Sequence, residues 1–129
     1  MSLNILVVED SDIVREMMIK VIRMCKIAIG KIFEAANGLE GLAIISDNWI
    51  DLVITDVNMP RMGGVEMIDN LRMMPENNDL PVIIVTGDCS ECGKFEENSR
   101  KSFIHKPFSM KEIKETIINL TGVCCEPSS

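Results

Sequence analysis

The chain has 129 residues, 47% of them hydrophobic and 26% charged, with a net charge of −7; this suits one globular domain with enough chain for a real core. The acidic balance excludes an unaided grip on DNA, RNA or an anionic membrane, because binding phosphates needs a basic footprint. No apolar run nears the ~20 residues of a membrane span and no signal-peptide pattern opens the chain, so the cytoplasm is the expected compartment. Five cysteines, Cys25, Cys89, Cys92, Cys124 and Cys125, make an odd count without disulfide spacing and read as reduced thiols.

In chain order, Leu3 to Val8 is an apolar strand ending at Glu9-Asp10. Ser11 and Asp12 are N-cap types, and Val14, Met17, Met18, Val21, Ile22 and Cys25 form one apolar helical stripe. After Gly30, Lys31 to Ala35 reads as a second strand. Asn37-Gly38 turns the chain into a helix carrying Leu39, Leu42, Ala43 and Ile45, which Trp49 is expected to close by packing against it. Leu52 to Thr55 is apolar and β-branched, as a strand buried on both faces should be, and it stops at Asp56. Asn58, Pro60 and the Gly63-Gly64 pair then force an irregular turn.

Val65 to Met74 is the third helix, ended by Pro75 and the polar run Glu76 to Asp79. Pro81 opens a fourth strand, Val82 to Val85, which ends at Thr86-Gly87. A polar segment, Asp88 to Lys101, precedes a brief fifth strand holding Phe103 and Ile104 and ending at Lys106-Pro107. Ser109 with Glu112 is a capping box, and Met110, Ile113, Ile117 and Leu120 mark the core face of the last helix. The expected core spans residues 3–121, with 122–129 as a tail. Such alternation predicts a single doubly wound α/β domain with a parallel sheet and right-handed crossovers. Periodicity leaves the strand order open.

Four of the five strands end in a polar group: Glu9-Asp10, Asp56, Thr86 and Lys106. In a parallel sheet these ends share one edge, where open α/β sheets put their chemistry. Charges ~4 Å apart interact by roughly 4 kcal/mol at an intermediate dielectric, so Glu9, Asp10 and Asp56 should not sit together bare. A divalent cation in an all-oxygen site is the natural compensation, and Mg2+ suits it. With an ammonium and a hydroxyl aimed at the same spot, such a carboxylate can receive a phosphoryl group, chemistry that needs positioning and charge neutralisation. Asp56 is then the expected nucleophile. Asp10, Asp56 and the Asn58 carbonyl are the expected metal ligands, with Glu9 acting through water, while Lys106 and Thr86 bind phosphoryl oxygens. Taken singly, each of these residues is an ordinary turn or cap residue; the joint placement carries the expectation.

These motifs, VVEDS, VITDVNMPRMGG, VTG and FIHKPF, resemble in order and spacing the receiver domains of bacterial two-component response regulators, across residues 3 to 121. The resemblance implies a flavodoxin-like fold with a five-stranded parallel sheet of order 2-1-3-4-5 flanked by five helices. It implies phosphorylation of Asp56, with Mg2+, from a phosphohistidine on a sensor histidine kinase or phosphotransfer protein. Glu9 and Asp10 are the implied acidic pair, Thr86 the switch hydroxyl and Lys106 the partner lysine, followed by a cis peptide to Pro107. Phe103 takes the place of the aromatic whose rotamer follows phosphorylation, so that a changed face reaches a downstream output domain or protein. The sequence departs from the family at its fourth helix: Asp88 to Ser102 has few apolar positions and contains Gly93, which predicts a weak helix. Polar Asn58 and Asp88, two residues beyond Asp56 and Thr86, predict a short-lived phosphoaspartate.

Rival readings fit less well. A dehalogenase-type phosphatase wants a second Asp where Asn58 stands, and an FMN carrier would find its phosphate repelled by Glu9-Asp10. Cys89 and Cys92 could form a redox pair or, with Cys124, Cys125 and His105, a zinc site. A pseudo-receiver, a protein-binding scaffold that is never phosphorylated, is the alternative from another class. No DNA-binding or catalytic output pattern is read after Leu120, so output is expected through contact or elsewhere.

Overall fold

The structure, a computed structural model, describes residues 2–57, 61–77, 79–86, 101–105 and 109–122. Its elements are β1 (Leu3–Val8), α1 (Asp12–Met24), β2 (Ile29–Ala35), α2 (Gly38–Asp47), β3 (Leu52–Asp56), α3 (Gly64–Arg72), β4 (Val82–Thr86), β5 (Lys101–His105) and α4 (Met110–Thr121). The five strands form one sheet of order β2-β1-β3-β4-β5, and every pairing is parallel. This is the expected flavodoxin-like topology.

Alternation along the strands feeds two cores, one on each face of the sheet. Leu3, Ile5 and Val7 of β1 join Ile54 of β3 and Ile83 and Val85 of β4 against Met18 and Ile22 of α1 and Ile113 and Ile117 of α4. Leu6 and Val8, with Val53, Val82 and Ile84, face Ile45 of α2 and Met67, Ile68 and Leu71 of α3. Because both faces are covered, β1, β3 and β4 must be apolar at nearly every position.

Side-chain caps start three of the helices. Ser11 Oγ accepts from the Val14 N–H at 3.4 Å, Asn37 Oδ1 from Glu40 at 2.9 Å, and Ser109 Oγ from Glu112 at 3.1 Å. Gly63 caps α3 without a side chain.

Several expectations are corrected. β2 begins at Ile29 rather than Lys31, and α3 covers Gly64–Arg72 rather than Val65 to Met74. Met17 and Met110, assigned to core faces, are 52% and 44% exposed; the cores close on Met18, Ile22, Ile113 and Ile117 without them. Trp49 does not pack on α2: it is 77% exposed, held by polar contacts described below. Four helices are seen among the described residues. The weak helix expected over Asp88 to Ser102 lies outside them, except that Lys101 and Ser102 belong to β5, drawn into the sheet by pairing with Val82 and Ile83. Pairing with β4 alone leaves that strand at an edge, where polar residues are tolerated. No helix among the described residues is long and apolar enough to cross a membrane.

Candidate functional site

The register of β1 on β3 builds the site. Val8 is the Cα partner of Thr55, so the next residues, Glu9 just past β1 and Asp56 at the end of β3, come side by side. β1 has β2 on one flank and β3 on the other, so this edge includes the point where the strand order reverses, the crevice position of open α/β folds. Glu9, Asp10 and Asp56 each bring a carboxylate oxygen within 4.8 Å of the others. Glu9 is 2% exposed, Asp56 half-buried and Asp10 exposed, so the trio opens to solvent on one side.

Backbone donors orient the acids. The Asp10 N–H donates to Glu9 Oε2 at 3.0 Å, and the Val57 N–H to Asp56 Oδ1 at 2.7 Å. Buried Thr55 donates its hydroxyl to the Asp56 carbonyl at 2.9 Å, while the Glu9 N–H donates to the Ala35 carbonyl of β2 at 2.9 Å. The Glu9 and Asp56 carboxylates are therefore each held by the N–H of the residue that follows.

Arg15 is a member of this edge that the sequence reading missed. Its Nη1 donates to the Glu9 carbonyl at 2.6 Å and its Nε to Glu34 Oε1 of β2 at 3.0 Å, and it pairs with Asp12. Its side chain is only 14% exposed. One signal was present: a cation in the first turn of a helix opposes the helix dipole, so it needs a tertiary reason to be there.

The turn after Asp56 closes on glycines for want of room. The Gly64 N–H donates to the Val57 carbonyl at 2.9 Å, and the Gly38 N–H to the Met62 carbonyl at 2.9 Å. A Cβ on Gly64 would lie within 2.3 Å of the Asp56 carbonyl oxygen. The glycine pair was legible as a turn; its reason is close approach.

Of the residues expected at the site, Glu9, Asp10 and Asp56 come together. Thr86 ends β4 one step beyond Val85, the Cα partner of Asp56. His105, paired with Thr86, immediately precedes Lys106. Lys106, Pro107, Asn58 and Asp88 lie outside the described residues, as do Cys89, Cys92, Cys124 and Cys125. Phe103 packs partly buried against the core shared with α2 and α3.

A profile of the response regulator receiver domain matches residues 5–118. The chain belongs to this family. Receiver domains are phosphoacceptor signalling domains of two-component systems rather than enzymes in the usual sense. This receiver is 29% identical over 126 residues to the chemotaxis protein CheY homolog of Campylobacter jejuni, with 93% of each chain covered. It is 32% identical over 88 residues to hybrid signal transduction histidine kinase D of Dictyostelium discoideum, covering 67% of this chain and 6% of that protein. The receiver thus spans a small part of the kinase and nearly all of the chemotaxis protein. Chemotaxis response regulator CheY4 of Vibrio cholerae superposes on it with a TM-score of 0.80 at 27% identity, covering 93% of this chain and 99% of that one.

Proposed function

We propose that residues 1–129 form a single receiver domain that takes a phosphoryl group on Asp56, with Mg2+, from a phosphohistidine of a sensor histidine kinase or histidine phosphotransfer protein. The observation that carries this reading is the trio of Glu9, Asp10 and Asp56, whose carboxylate oxygens lie within 4.8 Å of one another. Oxygens bound to one Mg2+ at ~2.1 Å stand at most ~4.2 Å apart, so the trio fits the ion with slight closure or with one acid acting through water. Asp10, Asp56 and the Asn58 carbonyl would hold it directly and Glu9, already engaged by the Asp10 N–H, through water. Bound there, the ion neutralises charge on the phosphoryl oxygens.

Asp56 Oδ2 attacks phosphorus as the P–N bond to the donor imidazole breaks, while the Val57 N–H holds Oδ1 and so aims the carboxyl group. Lys106 and Thr86 bind the remaining phosphoryl oxygens, and movement of Thr86 and Phe103 carries the change to a downstream output domain or protein. Asn58 and Asp88 orient water for self-dephosphorylation, giving a short-lived signal. The cytoplasm is the compartment this reading implies, with no part for nucleic acid or membrane.

The test is intact-mass measurement after incubation with acetyl phosphate and Mg2+. Wild type should gain one phosphoryl group, and neither Asp56→Asn nor chelator-treated protein should. Modification of Asp56→Asn, or none of wild type, would overturn the reading; the latter result would favour the pseudo-receiver scaffold.

A further inference from the structure

The opposite edge of the sheet, where the strands begin, carries features the phosphoacceptor reading leaves unused. Trp49, the single tryptophan of the chain, follows α2 and is 77% exposed. Polar contacts fix it. Its Nε1–H donates to Asp51 Oδ1 at 2.9 Å, and its carbonyl accepts from Asn4 Nδ2 at 2.9 Å. Asp51 Oδ2 in turn accepts from the Asn4 backbone N–H at 2.8 Å. The indole is thus held out in solvent by hydrogen bonds, and a side chain already fixed loses little freedom when something binds it.

Across a cavity of about 190 Å³ from Trp49 stand Glu76, Asp79 and Pro81 of the α3–β4 connection. A second cavity, of about 340 Å³, shares Glu76 and Asn77 and is walled by Met73, Met74 and Pro75. Met73 is 82% exposed. Among the described residues, the lining includes the carboxylates of Asp51, Glu76 and Asp79 and no Lys or Arg. Arg72, at the end of α3, donates to the Leu80 carbonyl at 2.8 Å.

We propose that this face docks an arginine-bearing segment of a partner protein, with a guanidinium in the Trp49 cavity and a flanking aliphatic side chain against Met73 and Met74. The charge pattern selects the occupant: a cavity lined by an exposed indole and by the carboxylates of Asp51, Glu76 and Asp79 is complementary to a planar cation. A guanidinium stacks on indole and is weakly hydrated, whereas an ammonium offers only its charge. The net charge of −7 draws basic partners toward the chain as a whole, and the fixed indole supplies a specific seat. β3 runs from Leu52 at this edge to Asp56 at the other, four steps of ~3.3 Å or about 13 Å, so a partner here leaves the acidic edge open.

As the single tryptophan, Trp49 reports on its own site. The full chain is titrated with the peptide acetyl-Leu-Arg-Met-Leu-amide and with its lysine counterpart, following Trp49 fluorescence. Expected are a saturable shift, affinity that falls with added salt, and at least about twofold weaker binding of the lysine peptide. The double variant E76Q/D79N, both positions exposed, should bind at least about threefold more weakly. Urea midpoints equal to wild type would certify its fold. The proposal is overturned if no saturable shift occurs, or if E76Q/D79N responds like wild type. It is also overturned if the fluorescence changes with protein concentration alone and sedimentation shows a dimer, since a second copy then covers the face.

Discussion

Gly64→Ala would test whether the turn after Asp56 depends on close backbone approach. A Cβ at Gly64 would sit 2.3 Å from the Asp56 carbonyl oxygen and 3.3 Å from Val57 Cα, where ordinary contact begins at 3.4 Å. One of the two backbones must move by about 1 Å, and neither is a flexible side chain. Asp56 is held in β3 by its neighbours, and Gly64 starts α3, whose Met67 and Leu71 are fully buried. Overpacking of this kind costs about 1–3 kcal/mol. Against a total stability of ~5–15 kcal/mol the variant still folds. Urea unfolding should show a lower midpoint at unchanged slope. The same displacement would move the Asp56 carboxylate relative to Glu9 and Asp10, and a ~1 Å misplacement of a reacting group can slow a step about 100-fold. The rate of phosphorylation by acetyl phosphate should therefore fall by more than the stability loss explains. Gly63→Ala, whose Cβ would meet the Val57 carbonyl at 2.8 Å, should show a milder version. Wild-type stability together with wild-type phosphorylation in Gly64→Ala would refute the reasoning.

Three further outcomes are expected. Arg15→Ala removes the 2.6 Å donor to the Glu9 carbonyl and should lose about 1–2 kcal/mol in urea unfolding; it should also weaken Mg2+ binding, read by titration, by loosening the β1–α1 turn. Asn37→Ala deletes the cap on the Glu40 N–H and should cost ~1 kcal/mol by thermal unfolding; Asn37→Ser should keep most of it, whereas Asn37→Asp would set a carboxylate against the Glu40 carboxylate that the Asn37 amide now donates to. Burial pushes the Cys25 thiol above its ordinary pKa, opposed in part by Lys114. Its contribution to stability is therefore complete below the unfolded thiol's pKa of ~8.5 and is lost as pH rises through the higher folded value. Iodoacetamide at mildly alkaline pH should leave the Cys25 peptide unmodified in the native protein and alkylate it in urea, as read by mass spectrometry.

What was legible in the sequence was local. Leu3 to Val8 and Leu52 to Thr55 announce buried strands because both faces must be apolar, and Ser11, Asn37 and Ser109 announce helix starts because each side-chain oxygen meets an N–H three residues on. Acids at strand ends were likewise readable as a candidate site. Trp49 was misread because hydropathy assigns an indole to the interior. Here Asn4 and Asp51 hold it outside, and Asn4, 45 residues away, is invisible to a local pattern. Lys101 and Ser102 read as polar connection because an edge strand needs no apolar run.

The order of apolar and polar residues by itself determined which segments become strands and helices, since periodicity is a property of neighbours along the chain. Only the tertiary structure decided that Val8 lies beside Thr55, that Arg15 reaches back to Glu9, and that Gly64 presses on the Asp56 carbonyl. Those facts depend on register and close approach between distant segments, which are settled when whole elements pack and not before.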